Sequence, residues 1–225
     1  MTSLTAESVS PKPFLVPRSL VRLCSSAQRG LWGLRLGRLY GIGIGISYAL
    51  LVFVGPASLA TSTKLWARAL GAASWVAGVG ALSLATDLAT RDAAQGITGL
   101  ARLRGFGERQ LESARVVAGA LRLTITVLLP GLMLALATLL RFRTVHGTAV
   151  AFALAFVTVP YAALVGTSLA ALGRACSSWL PGRGRLLLLA LVLGPWLLGS
   201  GLGLPVPNLP GAFAWLLERV AKGVS

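Results

Sequence analysis

Residues 87–115 read DLATRDAAQGITGLARLRGFGERQLESAR, and they separate two long apolar parts of the chain. This segment contains every acidic residue between Lys64 and Arg141, together with the arginines at 91, 102, 104, 109 and 115. The sequence on either side is almost free of charge. A polar segment of this size between apolar ones is typical of a loop outside a membrane, so it sets the topology expected for the rest of the chain.

The composition indicates an integral membrane protein. Of 225 residues, 55% are hydrophobic and only 12% are charged, and the mean hydropathy is +0.78. A water-soluble domain of this size could not cover so much apolar surface. The net charge of +15 does not indicate a nucleic-acid partner, because the arginines flank apolar segments instead of forming a soluble basic face. We therefore predict an all-α, polytopic membrane helix bundle.

Five apolar segments have about the 20 residues that cross a bilayer. They are predicted at 39–60, 66–88, 116–140, 147–172 and 186–204. A sixth span would require Leu186–Leu217 to fold as a broken or re-entrant pair. The chain is predicted to begin with a flexible cytoplasmic tail (1–17) and an amphipathic elbow helix (18–38). A transmembrane domain (39–204) follows, which contains a cytoplasmic coupling loop (89–115), and the chain ends in a short external interfacial helix (205–225).

The distribution of positive charge predicts the orientation. With a cytoplasmic N-terminus, the internal segments carry 15 of the 21 lysines and arginines, as the positive-inside rule requires. Five spans then leave the C-terminus outside, and the Arg-, Ala- and Leu-rich composition favours a bacterial inner membrane. Cys24 and Cys176 both fall inside, so no disulfide is expected. These two cysteines and the single His146 have no metal-ligand spacing, and no metal or cofactor is expected in this chain.

Glycine recurs every fourth residue from the end of the predicted elbow helix into the first span, at Gly33, Gly37, Gly41 and Gly45. This spacing places small residues on one face of a helix and allows a second helix to approach closely. We interpret it as a packing ridge, either within the chain or between two chains.

The polar loop has a helical pattern of its own. Leu100, Leu103, Phe106 and Leu111 recur at intervals of three to five residues. The pattern predicts a short helix at 92–103, a break at 105–107, and a second helix that runs from Glu108 into the third span. The alternative is a solvated loop whose arginines only obey the positive-inside rule.

This part of the chain resembles ABC-2-type transporter permeases. Members of that family have an acidic residue and a glycine after the second span, then a short helix, a break, and a Leu-rich helix that enters the third span. An elbow helix before the first span is also similar. By this resemblance the residues that would contact an ATPase are Asp92, Gln95, Gly96, Leu100, Leu103, Arg104, Phe106 and Glu108. Gln95 stands where the family usually has Glu, Gly105–Phe106–Gly107 replaces the commoner Pro-containing break, and the family's sixth span has no counterpart here.

The resemblance implies the membrane subunit of an ATP-driven exporter that moves a hydrophobic or lipid-like substrate or does mechanical work. ATP and Mg would bind a separate ABC ATPase, because none of the three lysines (Lys12, Lys64 and Lys222) follows glycine as a phosphate-binding loop requires. The other expected partners are membrane lipids and a second copy of the chain or a paralogous permease.

Three other classes compete with this interpretation. The strongest is a scaffold or assembly subunit that docks an ATPase without transport. A lipid-modifying enzyme would need acids, histidines or metals at the membrane, and an ion channel or secondary transporter would need buried charge at the midplane. The predicted spans are nearly free of such residues. We therefore expect no catalysis by this chain.

Overall fold

The computed structural model describes residues 16–55, 58–86, 92 and 94–202, with backbone alone at 193 and 195–202. Within these ranges the chain is helical and contains no strand, which confirms the predicted all-α class. The helices are α1 (Arg18–Gln28), α2 (Trp32–Val54), α3 (Leu59–Ala81), α4 (Ile97–Leu103), α5 (Glu108–Arg141), α6 (Val145–Trp179) and α7 (Gly184–Leu202). Most of the predicted tail 1–17 and all of the predicted external helix 205–225 lie outside the described residues.

Three of these helices, α2, α5 and α6, are long and apolar enough to cross a membrane. They contain 23, 34 and 35 residues. At 1.5 Å per residue, α5 and α6 are each about 50 Å long, whereas the hydrocarbon core is about 30 Å thick. These helices indicate a membrane protein, and α5 and α6 are long enough to extend several turns beyond the bilayer.

The remaining predicted spans correspond to α3 and α7. Helix α3 lies at the centre of the described bundle, where it packs against α2, α5 and α6. Trp66, Leu70 and Ala73 on α3 are completely buried. Because other helices cover α3, it can carry more serine and threonine than a helix that faces lipid on most sides.

Several predicted boundaries are wrong. Residues 61–65 were expected to form a loop, but they belong to α3, because the Ser58 side chain accepts a hydrogen bond from the Thr61 backbone N–H (3.1 Å) and so begins the helix earlier. The predicted loop at 174–185 is helical as far as Trp179. The predicted elbow helix at 18–38 ends at Gln28, and its last seven residues form the start of α2.

The glycine ridge packs within the chain. A Cβ added at Gly41 would lie 2.6 Å from the carbonyl oxygen of Thr126 on α5, and one added at Gly45 would lie 2.7 Å from the sulfur of Met133. Gly33 and Gly37 instead face the end of α3 and the turn after it. The ridge therefore allows α2 to pack closely against α3 at its start and against α5 farther along.

Two buried hydrogen bonds connect α3 to α6. The indole Nε1 of Trp66 donates to Thr158 Oγ1 (3.0 Å), and the hydroxyls of Ser74 and Tyr161 lie 2.9 Å apart. The Trp66 side chain is 0% exposed, so it lies inside the bundle and not in an interfacial aromatic belt. Buried polar pairs of this kind stabilise helix contacts where no water can replace them.

The outer surface of the described bundle is apolar. Phe152 and Phe156 on α6 are 66% and 79% exposed, and leucines and isoleucines line the outer faces of α2 and α5 in the same way. Continuous exposed apolar surface is unusual in soluble proteins and is expected of helices that face lipid.

Candidate functional site

An ion pair lies at one end of the bundle, and a pair of hydrogen bonds lies at the other. At one end, Arg174 near the end of α6 pairs with Glu112 near the start of α5. At the other end, the guanidinium group of Arg141 donates to the backbone carbonyls of Val52 and Gly55, which close the last turn of α2. The first end is called the basic end below, because it also holds α1 and α4 and their arginines.

Helix α4 lies at the basic end between two glycines with positive φ, +71° at Gly96 and +76° at Gly105. The Gly105 N–H donates to the carbonyl of Arg102 (2.9 Å), and the Phe106 N–H donates to that of Ala101 (3.0 Å). This pair of bonds is the Schellman ending, in which glycine adopts the left-handed conformation most easily. The predicted break after Leu103 is confirmed. Residues 92 and 94 are also helical, but Gly96 adopts the left-handed conformation and divides the predicted helix, so that α4 begins at Ile97.

A small apolar cluster attaches α4 to the rest of the protein. We call it the anchor cluster, and it consists of Leu20, Cys24, Ala101, Leu111, Ala114 and Ala118. It therefore joins one face of α1, the inner face of α4 and the first turns of α5. The apolar stripe of α1 packs against α5 in the described structure.

A buried ion pair lies beside the anchor cluster. Arg115 Nε and Asp92 Oδ2 are 2.6 Å apart, and their side chains are only 6% and 7% exposed. The Gln28 side-chain amide donates to the Arg115 carbonyl (3.0 Å), so α1 also contacts this site. Asp92 therefore fastens the segment before α4 to the first turns of α5.

The pKa of the Cys24 thiol reflects the burial and the charges of the same site. Burial, with a smaller contribution from the negative charge of Asp92, raises the pKa of Cys24 to about 11, although the positive charge of Arg115 opposes the shift. The thiol is thus held in its neutral form at physiological pH, as expected of a structural cysteine and not a reactive one.

The outer face of α4 is exposed and apolar. Leu100 is 46% exposed and Leu103 is 86% exposed, and Arg104 beside them is exposed as well. Arg102 Nη2 contacts Glu108 Oε1 across the glycine break (2.6 Å), but both side chains lie in solvent, where such a pair contributes little stability.

The structure separates the eight residues predicted to contact an ATPase into two groups. Asp92 is buried, and Phe106 is partly buried against the anchor cluster. The others are exposed at the basic end: Gln95, Gly96, Leu100, Leu103, Arg104 and Glu108. Only the exposed group is available to a partner, whereas Asp92 and Phe106 hold the surface in place.

Sequence reasoning missed the residues that hold α4 in place. The buried positions of α1, Leu20, Cys24 and Gln28, recur every four residues, which is a signal that could have located that face. The contact between Asp92 and Arg115 has no comparable signal, because the two residues are 23 positions apart and their segments meet only in the folded chain.

Neither metal chemistry nor relatives suggest another site. In the described ranges, no group of three histidine, cysteine, aspartate or glutamate side chains could hold a metal ion. No family model, no curated protein and no solved structure matches this chain. The function must therefore be argued from the chain's own geometry.

Proposed function

We propose that this chain is the membrane subunit of an ATP-driven export machine of the ABC-2 type, and that a soluble ATPase binds α4 at the basic end. In this proposal α2, α3, α5, α6 and α7 are five spans, and the basic end and the N-terminus face the cytoplasm. The observation that carries the proposal is the exposed pair of leucines, Leu100 and Leu103, on a helix whose opposite face packs in the anchor cluster.

The two faces of α4 support a docking role. Full burial of a leucine side chain is worth about 1.5–3 kcal/mol, so an exposed pair outside the apolar belt gives a partner a favourable contact. The opposite face, which includes Ala101, packs in the anchor cluster. A force applied to α4 would therefore act on α1 and α5 together, as rigid-body coupling requires.

The packed interior supports a transport path between subunits. Trp66 and Leu70 fill the centre of the described bundle and are completely buried. A hydrophobic or lipid-like substrate would therefore pass along an interface with a second copy or a paralogous permease. The same filled interior favours the second candidate, a scaffold that docks an ATPase but moves no substrate.

The docking proposal is tested with a paired substitution on α4. Leu100→Asp/Leu103→Asp removes the apolar contact without touching the anchor cluster. Val145→Asp is the control, since Val145 is 91% exposed at the opposite end of the bundle. After purification in mild detergent, the wild type and the control should retain a nucleotide-binding subunit in near-equal amount, with measurable ATPase activity. The α4 variant should lose both.

Retention of the ATPase by the α4 variant would contradict docking at this helix, and a wild-type chain that purifies without an ATPase would overturn the proposal altogether. Reconstitution of the intact complex in vesicles then distinguishes the two candidates. A transporter couples ATP hydrolysis to movement of a fluorescent lipid or other apolar reporter, whereas a scaffold hydrolyses ATP without moving it.

A further inference from the structure

Among the described residues of the basic end, arginines outnumber acids. The structure describes three acidic residues, Asp92, Glu108 and Glu112, and each is paired with an arginine. Among the described residues, no carboxylate lies within ion-pair distance of four other arginines near the start of α2: Arg29, Arg35, Arg38 and Arg122. A group of cations without internal counter-charge is expected to bind an external anion.

Arg122 shows how closely these charges gather. Its Nη2 donates to the backbone carbonyl of Ser25, while its Nε is buried and has no hydrogen-bond partner in the described structure. Burial disfavours the charged form of the Arg122 guanidinium group, and the positive charges of Arg29 and Arg38 add to that cost. An anion bound at this end would lower the energy of these charges.

A surface cavity lies beside this group. It has a volume of about 530 Å³ and is lined by Trp32, Arg35, Leu36, Arg38, Leu39 and Ile42. Its volume falls within the range of small-ligand sites. The two arginines provide a charged part of the lining and the leucines and the isoleucine an apolar part.

The residues around the cavity have the pattern expected at the level of lipid headgroups. Trp32 is the first residue of α2 and is 74% exposed, as is common for tryptophan at a membrane interface. Arg38 follows six residues later, about 9 Å along the helix axis. Beyond it the exposed surface of α2 is apolar, with Leu39 at 64% and Ile46 at 47% exposed.

We propose that this cavity binds an anionic phospholipid, with its phosphate between Arg35 and Arg38 and its acyl chains along Leu39 and Ile42. Arg29 and Arg122 add positive potential at the same end. A soluble anion would use the arginines but would leave the apolar lining in contact with water. A phospholipid uses both, and basic pockets on the cytoplasmic side of membrane proteins recognise such headgroups. The proposal does not depend on whether an ATPase binds α4.

The test compares two pairs of arginines of equal charge. Arg35→Gln/Arg38→Gln removes the cavity's charges, and Arg183→Gln/Arg185→Gln removes two exposed arginines from the same end. Each full-length variant is purified in detergent and titrated with phosphatidylglycerol or with phosphatidylcholine of the same acyl chains, while thermal unfolding and bound lipid (by native mass spectrometry) are measured.

Phosphatidylglycerol should stabilise the wild type and the 183/185 variant, and the 35/38 variant should require a roughly thirtyfold higher lipid concentration for the same effect. Equal stabilisation by phosphatidylcholine would overturn the proposal, because the site would then bind the acyl chains without recognising the charge of the headgroup. An equal loss in both variants would also overturn it, as would full stabilisation by inorganic phosphate alone.

Discussion

The buried Asp92–Arg115 ion pair should stabilise the packing of α4 and α1 against α5. Removing one partner of a buried ion pair leaves an uncompensated charge and typically costs about 3–5 kcal/mol. We expect Asp92→Ala or Arg115→Met to raise the population of molecules in which the anchor cluster is open by roughly a hundredfold to several thousandfold. Because the pair lies outside the main core, which is built around α3, the bundle should remain folded.

Cys24 provides the assay. It is 1% exposed within the anchor cluster, so an alkylating reagent reaches it only when the cluster opens. In a Cys176→Ala background, which leaves Cys24 as the only cysteine, the alkylation rate at pH 8 should rise with the open population in each single variant. Intact mass spectrometry after timed quenching gives this rate directly.

The double variant Asp92→Ala/Arg115→Met tests the cause. Removing both charges together should restore much of the protection, since no charge is then buried without a partner. The reasoning is refuted if the single variants alkylate within threefold of the parent, or if the double variant is as fast as the faster single variant. The first result would mean that the pair does not hold the site, and the second that side-chain volume and not charge is responsible.

Three further predictions use controls that the chain itself provides. Gly41→Ala should destabilise the bundle, because its Cβ would clash with a backbone carbonyl of α5. Gly43→Ala, whose Cβ would have no neighbour within 4 Å, should be neutral or stabilising by up to about 1 kcal/mol. Thermal unfolding in detergent distinguishes the two variants. Gly105→Ala, at a φ of +76°, should destabilise α4 by about 1 kcal/mol, whereas Gly107→Ala, at a φ of −75°, should not. Trypsin cleavage after Arg102 in α4 should be faster only in the first variant. The pKa of Cys24 is raised from 9.0 to about 11, so the neutral thiol stabilises the fold fully below pH 9, and this contribution is lost as the pH rises toward 11. Cys24→Ala should therefore reduce the loss of stability between pH 9 and pH 11. An unchanged pH profile of stability would contradict the assignment.

Much of the fold could be predicted because hydrocarbon-compatible segments have clear sequence signals. The apolar runs near 116–140 and 147–172 correspond to α5 and α6, and the glycine break after α4 was placed at the correct residue. The boundary of α3 was wrong because capping by Ser58 depends on one side-chain hydrogen bond, which hydropathy does not detect.

The candidate site was predictable only in its outer half. The exposed leucines of α4 have a helical spacing that can be read directly from sequence. Their support depends on contacts between distant segments, Gln28 with Arg115 and Arg115 with Asp92, and a single sequence does not reveal such contacts. For the same reason Asp92, which looked like a surface residue in a polar loop, proved to be buried.

The length of α5 has a mechanical consequence. It runs without interruption from Glu108, next to α4, to Arg141, whose side chain holds the last turn of α2. A rod of this kind behaves as a lever, and a tilt of about 5° around one end displaces the other by roughly 4 Å. Pro130 removes one backbone hydrogen bond near the middle, but the helix continues through it. A movement at the basic end of α5 would thus displace the last turn of α2 at the other end of the bundle.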